Sequence, residues 1–223
     1  MTTCDPTISA HARAHRERAG RRAFTLVELL TVIAVLGILA AILVPVVGRA
    51  QEAARRARAK TQFAQWAMAI EAFRAEYGYY PNFSVTTTAP LPTDCRINEV
   101  PGLFAQTLAG RRADGAAPDL PRAIAANPRR IPFLTFTADE LGGGVNPRVR
   151  DALGNTDIVL LVDRDGDGLI PAPSVLPTVT SSETGRTLTP EPIVFPTGGI
   201  RAGVVFYSAG SGTSADSIVY SWR

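Results

Sequence analysis

Between Phe24 and Val47 lie 24 residues with one charged side chain, Glu28. As a helix rising 1.5 Å per residue, such a segment reaches about 36 Å, enough to cross a bilayer core of about 30 Å. The apolar region of a cleaved secretory signal is shorter, about 7–15 residues. The segment therefore reads as a membrane-crossing helix. Charge counting does not orient it. Arg13, Arg16, Arg18, Arg21 and Arg22 precede the span, and Arg49, Arg55, Arg56, Arg58 and Lys60 follow it closely. Glu28 is the anomaly, because a carboxylate inside an apolar span costs about 2.5–3.5 kcal/mol, and less near the interface. Two readings fit it. It is a tolerated charge near a helix end, or it meets a positive partner inside a protein assembly.

The string Arg21-Arg22-Ala23-Phe24-Thr25-Leu26-Val27-Glu28-Leu29-Leu30 resembles the cleavage and methylation signal of type IV prepilins. That signal is a basic leader, a small residue, Phe-Thr-Leu-x-Glu and an apolar helix. The likeness extends through Gly37 and Pro45, although Ala23 stands where Gly is usual. The resemblance implies a prepilin peptidase that cuts between Ala23 and Phe24 and methylates the new amino group of Phe24. It implies a cytoplasmic N-terminus, which breaks the charge tie. It also implies that Glu28 neutralises the Phe24 ammonium of a neighbouring subunit in a filament of like copies, built by an inner-membrane assembly platform. Opposite charges about 4 Å apart in low dielectric gain several kcal/mol, which offsets the burial cost. A rival reading uses the same residues. Arg21-Arg22-Ala23-Phe24 also resembles a twin-arginine export signal, with Gly48-Arg49-Ala50 as a small-x-small cleavage site. It predicts an exported or tethered periplasmic binding domain or enzyme starting at Gln51, and it leaves Glu28 unexplained.

The cut decides how the bulk composition is read. Residues 1–23 carry five arginines against Asp5 and Glu17, and the remaining 18 basic and 18 acidic side chains cancel. The pI of 9.2 thus belongs largely to the leader, and the basic-protein argument for nucleic acid falls with it. Cys4 and Cys95 fall on opposite sides of the cut, so the mature chain has no internal disulfide, and two isolated cysteines give no metal spacing. His11 and His15 are both in the leader. No mature histidine remains for general-base work or zinc, and no nucleophile elbow, phosphate loop or dinucleotide fingerprint occurs. The sequence points away from an enzyme.

Beyond the span, residues 49–77 contain no Pro or Gly, and Phe63, Ala67, Ile70, Phe73 and Tyr77 recur at helical spacing. This predicts one helix from Phe24 to Tyr77, kinked or locally melted at Pro45 and Gly48, and stopped by Gly78 and Pro81. Residues 81–150 are broken by Pro and Gly, with short helices expected at Val100–Leu108 and Asn127–Phe133. The run Asn127–Phe136 after Leu108-Ala109-Gly110, and the turn Asp151-Ala152-Leu153-Gly154-Asn155, resemble segments of type II secretion pseudopilins, with Leu153 where Trp is usual. Strands are expected at Asp157–Val162, Ile193–Phe195, Gly203–Ser208 and Ser217–Trp222, the last two as a hairpin similar to the C-terminal hairpin of major, G-like pseudopilins. The expected fold is α+β, a long N-terminal helix packed on a small antiparallel sheet. The expected divisions are a leader over 1–23, a transmembrane and assembly helix over 24–47, an amphipathic helix over 48–78 and a periplasmic head over 79–223.

One constellation could hold a ligand. Asp163-Arg164-Asp165-Gly166-Asp167-Gly168 begins like a calcium loop, with carboxylates at positions one, three and five and Gly at six. Position nine is Pro171 and position twelve is Ser174, so this is no EF-hand. Calcium binding and a plain Asp/Gly turn both fit. Major secretion pseudopilins hold calcium in the loop of the C-terminal hairpin, where this chain keeps only Asp216. No cofactor is required by the sequence, and calcium is the one for which it offers a candidate site, at Asp163, Asp165, Asp167 and Asp216.

Overall fold

The computed structural model describes residues 25–88, 91–173 and 175–223. The leader, the cleavage pair Ala23 and Phe24, Cys4, His11, His15 and Ser174 lie outside the described residues. The chain divides into two compact units, the second being Gly48–Arg223. Helix α1, Leu26–Tyr77, contributes to both.

In the first unit α1 is apolar all round. Leu26, Leu30, Ile33, Leu36, Ile42 and Val44 are all more than half exposed, and an 18-residue window reaches a mean hydropathy of 2.9. A helix with no polar face needs an apolar surrounding, either a protein core or lipid. The backbone stays helical through Pro45 and Gly48, so the local melting expected there does not occur.

In the second unit, Ala59, Phe63, Trp66, Ile70 and Phe73 are fully buried. Spacings of four and three put them on one stripe. Trp66, rather than Ala67, is its centre. Its ring lies 5.6 Å from Phe63, 5.5 Å from Phe104 and 5.6 Å from Phe206. Tyr77 ends α1, and Gly78 follows at φ 79, donating its amide to Arg74, a left-handed stop as expected.

The sheet is antiparallel, in the order β1-β2-β5-β6. Its strands are β1 Asp94–Arg96, β2 Ile158–Val162, β5 Val204–Ser208 and β6 Val219–Tyr220, while β3 Val179–Thr180 and β4 Thr187–Leu188 pair separately. All five residues of β2 are buried because both faces are covered. Ile158, Leu160 and Val162 face the α1 stripe with Phe206, and Val159 and Leu161 face Tyr207, Leu188 and Tyr220. An unbroken apolar run is the sequence mark of a strand covered on both sides.

Helices α2 Leu103–Ala109 and α3 Pro121–Ala126 complete the unit. Two expectations fail. Asn127–Phe133 is not helical, since Pro128 and Pro132 interrupt it and Arg130 sits at φ 54; the helix lies just before it, with Pro121 in its first turn. Ile193–Phe195 is not a strand. Pro192–Val194 forms a 3-10 turn, because Pro192 suits a first helical position and cannot donate to a ladder. The C-terminal hairpin stands, with Tyr207 opposite Tyr220.

Candidate functional site

The start of α1 shows how Glu28 is held. The Thr25 amide and hydroxyl each donate to Glu28 Oε2 at 2.8 Å, and the Glu28 amide returns a bond to Thr25 Oγ1 at 3.2 Å. This is a reciprocal capping box, Thr-x-x-Glu. It satisfies amides that have no partner in the first turn and places a negative charge at the positive end of the helix dipole. Among the described residues nothing donates to Glu28 Oε1, so one oxygen caps the helix and the other is open to a further donor. The capping role of Thr25 was not read from the sequence, although Glu28 three positions later marks it.

The second candidate follows β2. Asp163 is buried, and its carboxylate accepts the amides of Gly166 at 2.8 Å and Gly168 at 2.9 Å. Asp167 accepts the Leu169 amide at 2.7 Å. Gly166 and Gly168 have φ of 78 and 83, the left-handed region where glycine carries no Cβ penalty. The loop thus curls around Asp163, and one ligand oxygen each from Asp163, Asp165 and Asp167 falls within 4.8 Å of the others. The sequence did not reveal Arg74. Its Nη2 lies 2.8 Å from where a Cβ on Gly166 would be, and its Nη1 donates to the Tyr80 hydroxyl at 2.6 Å. A guanidinium from α1 therefore already faces the aspartate loop. Asp216 is not part of this group. It is exposed in a 3-10 turn over Ala215–Ser217, and its carbonyl accepts from Arg56 at 3.4 Å.

The turn at Asp151 is a fastening point. Asp151 accepts the amides of Leu153 at 2.9 Å and Asn155 at 2.8 Å and the Ser208 hydroxyl. Asn155 donates to the Ala209 carbonyl and accepts the Ser182 amide at 2.9 Å. One turn thereby ties together β5 and the β3–β4 hairpin. Leu153, at the position where Trp is usual, still packs on the core.

The two buried aspartates have opposite pH signatures. Burial pushes the Asp151 carboxyl up, and its hydrogen bonds only partly oppose this. For Asp163, burial also pushes up, but the Gly168 amide, a hydrogen bond with Asp165, the Gly166 amide and the Arg74 charge outweigh it and hold the carboxyl below its ordinary value. Asp163 therefore contributes stability above the ordinary carboxylate value, lost as pH falls through its lowered one. The Asp151 contribution is present below the ordinary value and lost as pH rises through its raised one. The advantage of wild type over Asp163→Asn is expected to shrink between about pH 6 and 3, while that over Asp151→Asn grows. Denaturant unfolding across that range is the measurement, and parallel pH profiles for the two variants would contradict it.

Cys95 is a buried free thiol pushed up to about 12, chiefly by burial, so it is inert at neutral pH.

A search of curated proteins gives no match, and neither does a search of solved structures. The family model described as the prokaryotic N-terminal methylation motif matches residues 18–44, a window holding Arg18, Arg21, Arg22, Glu28 and most of the apolar span. This chain carries a prepilin-type methylation motif running into a long apolar helix, which supports a membrane-anchored, type IV pilin-like subunit.

Proposed function

We propose that the protein is a structural subunit of a type II secretion pseudopilus, cut between Ala23 and Phe24, methylated on Phe24 and assembled through its N-terminal helix. The observation that carries this reading is the methylation motif over residues 18–44 placed directly on an apolar helix with Glu28 in its first turn. The subunit waits in the inner membrane with its N-terminus in the cytoplasm and its head in the periplasm, then moves into the filament. Its partners are the prepilin peptidase, the assembly platform and further copies. The C-terminal hairpin and the aspartate loop favour a secretion pseudopilus over a surface pilus, and imaging of cell-surface fibres separates the two. Mass spectrometry of protein from cells is expected to show a chain beginning at Phe24 and carrying one added methyl group. A start at Gln51 would establish the export-signal reading instead, and a retained leader would defeat both.

Within this reading, Asp163, Asp165 and Asp167 form a calcium site, with Asp216 outside it. Three convergent carboxylates suit a hard cation, and Arg74 is the internal charge it competes with. Millimolar calcium is expected to raise the melting temperature of wild type and not of Asp165→Asn. An unchanged wild-type melt would leave the loop as an Asp/Gly turn braced by Arg74.

A further inference from the structure

Positive charge past the apolar span is gathered in one place. Residues 48–58 hold four arginines against Glu52, a balance of +3, while residues 59–223 hold 14 basic and 16 acidic side chains, a balance of −2. The gathered stretch belongs to α1 and begins directly after Val47. It comes before Ala59, the first of that helix's described residues to be buried. Within it Arg56 is partnered, by Glu52 at 2.7 Å. Arg49, Arg55 and Arg58 are exposed, and among the described residues none of the three has a carboxylate in ion-pair range or a side-chain hydrogen bond. Asp139 and Glu140 border a groove with Arg58, but Arg150 borders it too, and Glu140 is taken up by Gln62 and Thr137.

The helix sets how these groups are spread. Arg55 and Arg58 are three residues apart and share a face. Arg49 precedes Arg58 by nine residues, so it stands on the opposite side of the helix. A protein docked on one face reaches one side, whereas a bilayer surface surrounds the helix that crosses it. The Cα–Cβ bonds tilt toward the helix N-terminus, the end that carries the apolar segment. An arginine stem lies along apolar surface while its guanidinium stays in water, and the guanidinium fork matches two phosphate oxygens. Each basic side chain next to a membrane surface strengthens the hold on anionic headgroups about fivefold.

We propose that Arg49, Arg55 and Arg58 form a collar that binds the phosphate groups of anionic phospholipids where α1 leaves the membrane. The inference rests on the membrane-anchored reading above and adds a partner to it. It also gives the apolar segment a fixed end, since the collar resists being drawn into the hydrocarbon.

The test places the full-length chain in vesicles of phosphatidylcholine and phosphatidylglycerol in equal parts. Spin-labelled forms of the two lipids report, by electron spin resonance, how strongly each is held at the protein surface. Wild type is expected to prefer phosphatidylglycerol, and Arg49→Gln, Arg55→Gln and Arg58→Gln together are expected to lower that preference at least about fivefold. The leader arginines are common to both chains, so the difference reads the collar. The triple variant is expected to melt like wild type, because the changes lie on exposed helix positions and glutamine is nearly as good a helix former. The same lipid preference in wild type and triple variant, with equal melting, would overturn the collar and leave the membrane anchor standing. Wild-type protein washed off the vesicles by alkaline carbonate would overturn both. An unchanged lipid preference with loss of crosslinking to a second copy would assign the three arginines to a subunit contact and overturn lipid as the partner.

Discussion

Cells expressing Glu28→Ala are expected to contain membrane-inserted protein with a mature Phe24 N-terminus and no incorporation of that protein into filaments. Insertion survives because the change removes a charge costing about 2.5–3.5 kcal/mol from an apolar span. Cleavage survives because the leader and the residues at the cut are untouched. Assembly is lost because the Phe24 ammonium of the neighbour would then enter low dielectric without its counter-charge, and an uncompensated buried charge costs about 3–5 kcal/mol. That corresponds to at least a hundredfold loss in subunit association. Glu28→Gln separates the charge from the cap, since its amide oxygen still accepts from Thr25. It is expected to keep the helix start and still fail to assemble. Either variant crosslinked into multimers at wild-type levels, seen by immunoblot after crosslinking in intact cells, would remove the pairing role.

The second large effect is on the fold. Trp66→Ala is expected to destabilise the Gly48–Arg223 unit by about 3–5 kcal/mol, most of the margin of an ordinary domain. The indole is fully buried and touches rings from α1, α2 and β5, namely Phe63, Phe104 and Phe206. Its loss opens a cavity where three elements meet and none can close it by moving alone. Urea unfolding followed by circular dichroism measures the change, and a shift below about 1 kcal/mol would show that the site collapses around the missing ring. Ala67→Gly, one residue along, tests the stripe from the other side, because Ala67 is only partly buried against this core. It is expected to cost only the helix-propensity difference, about 1 kcal/mol.

The features legible in the sequence were those set by long or repeated patterns. The apolar span, Glu28, the left-handed stop at Gly78, strand β2 and the terminal hairpin all declare themselves through length, periodicity or Gly chemistry. The features that escaped are short or depend on partners far along the chain. Strands β3 and β4 have two residues each, too few for any alternation to show. Strand β1 is Asp-Cys-Arg, which no strand propensity favours, and it exists because it pairs with β2. Arg74 reads as one more exposed helix cation until the loop after β2 is folded beneath it. Thr25 is a different case, since its capping role needed only the residue three positions later.

The central pairing of the sheet joins β2 to β5, Ile158 opposite Ser208 and Val162 opposite Val204. Everything from Asp163 to Gly203 must loop out before those two strands can meet. Chain-closure entropy for a loop of that length is about 3 kcal/mol beyond its constant part, and among its described residues only the two-residue strands β3 and β4 and the 3-10 turn Pro192–Val194 shorten it. The Gly48–Arg223 unit is therefore expected to acquire its helical turns early and its sheet late, so a newly made chain would pass through a stage in which the aromatic stripe of α1 is formed but not yet roofed. During that interval the exposed rings are available to any hydrophobic surface nearby, and quality control of this protein would act on that window rather than on the finished fold.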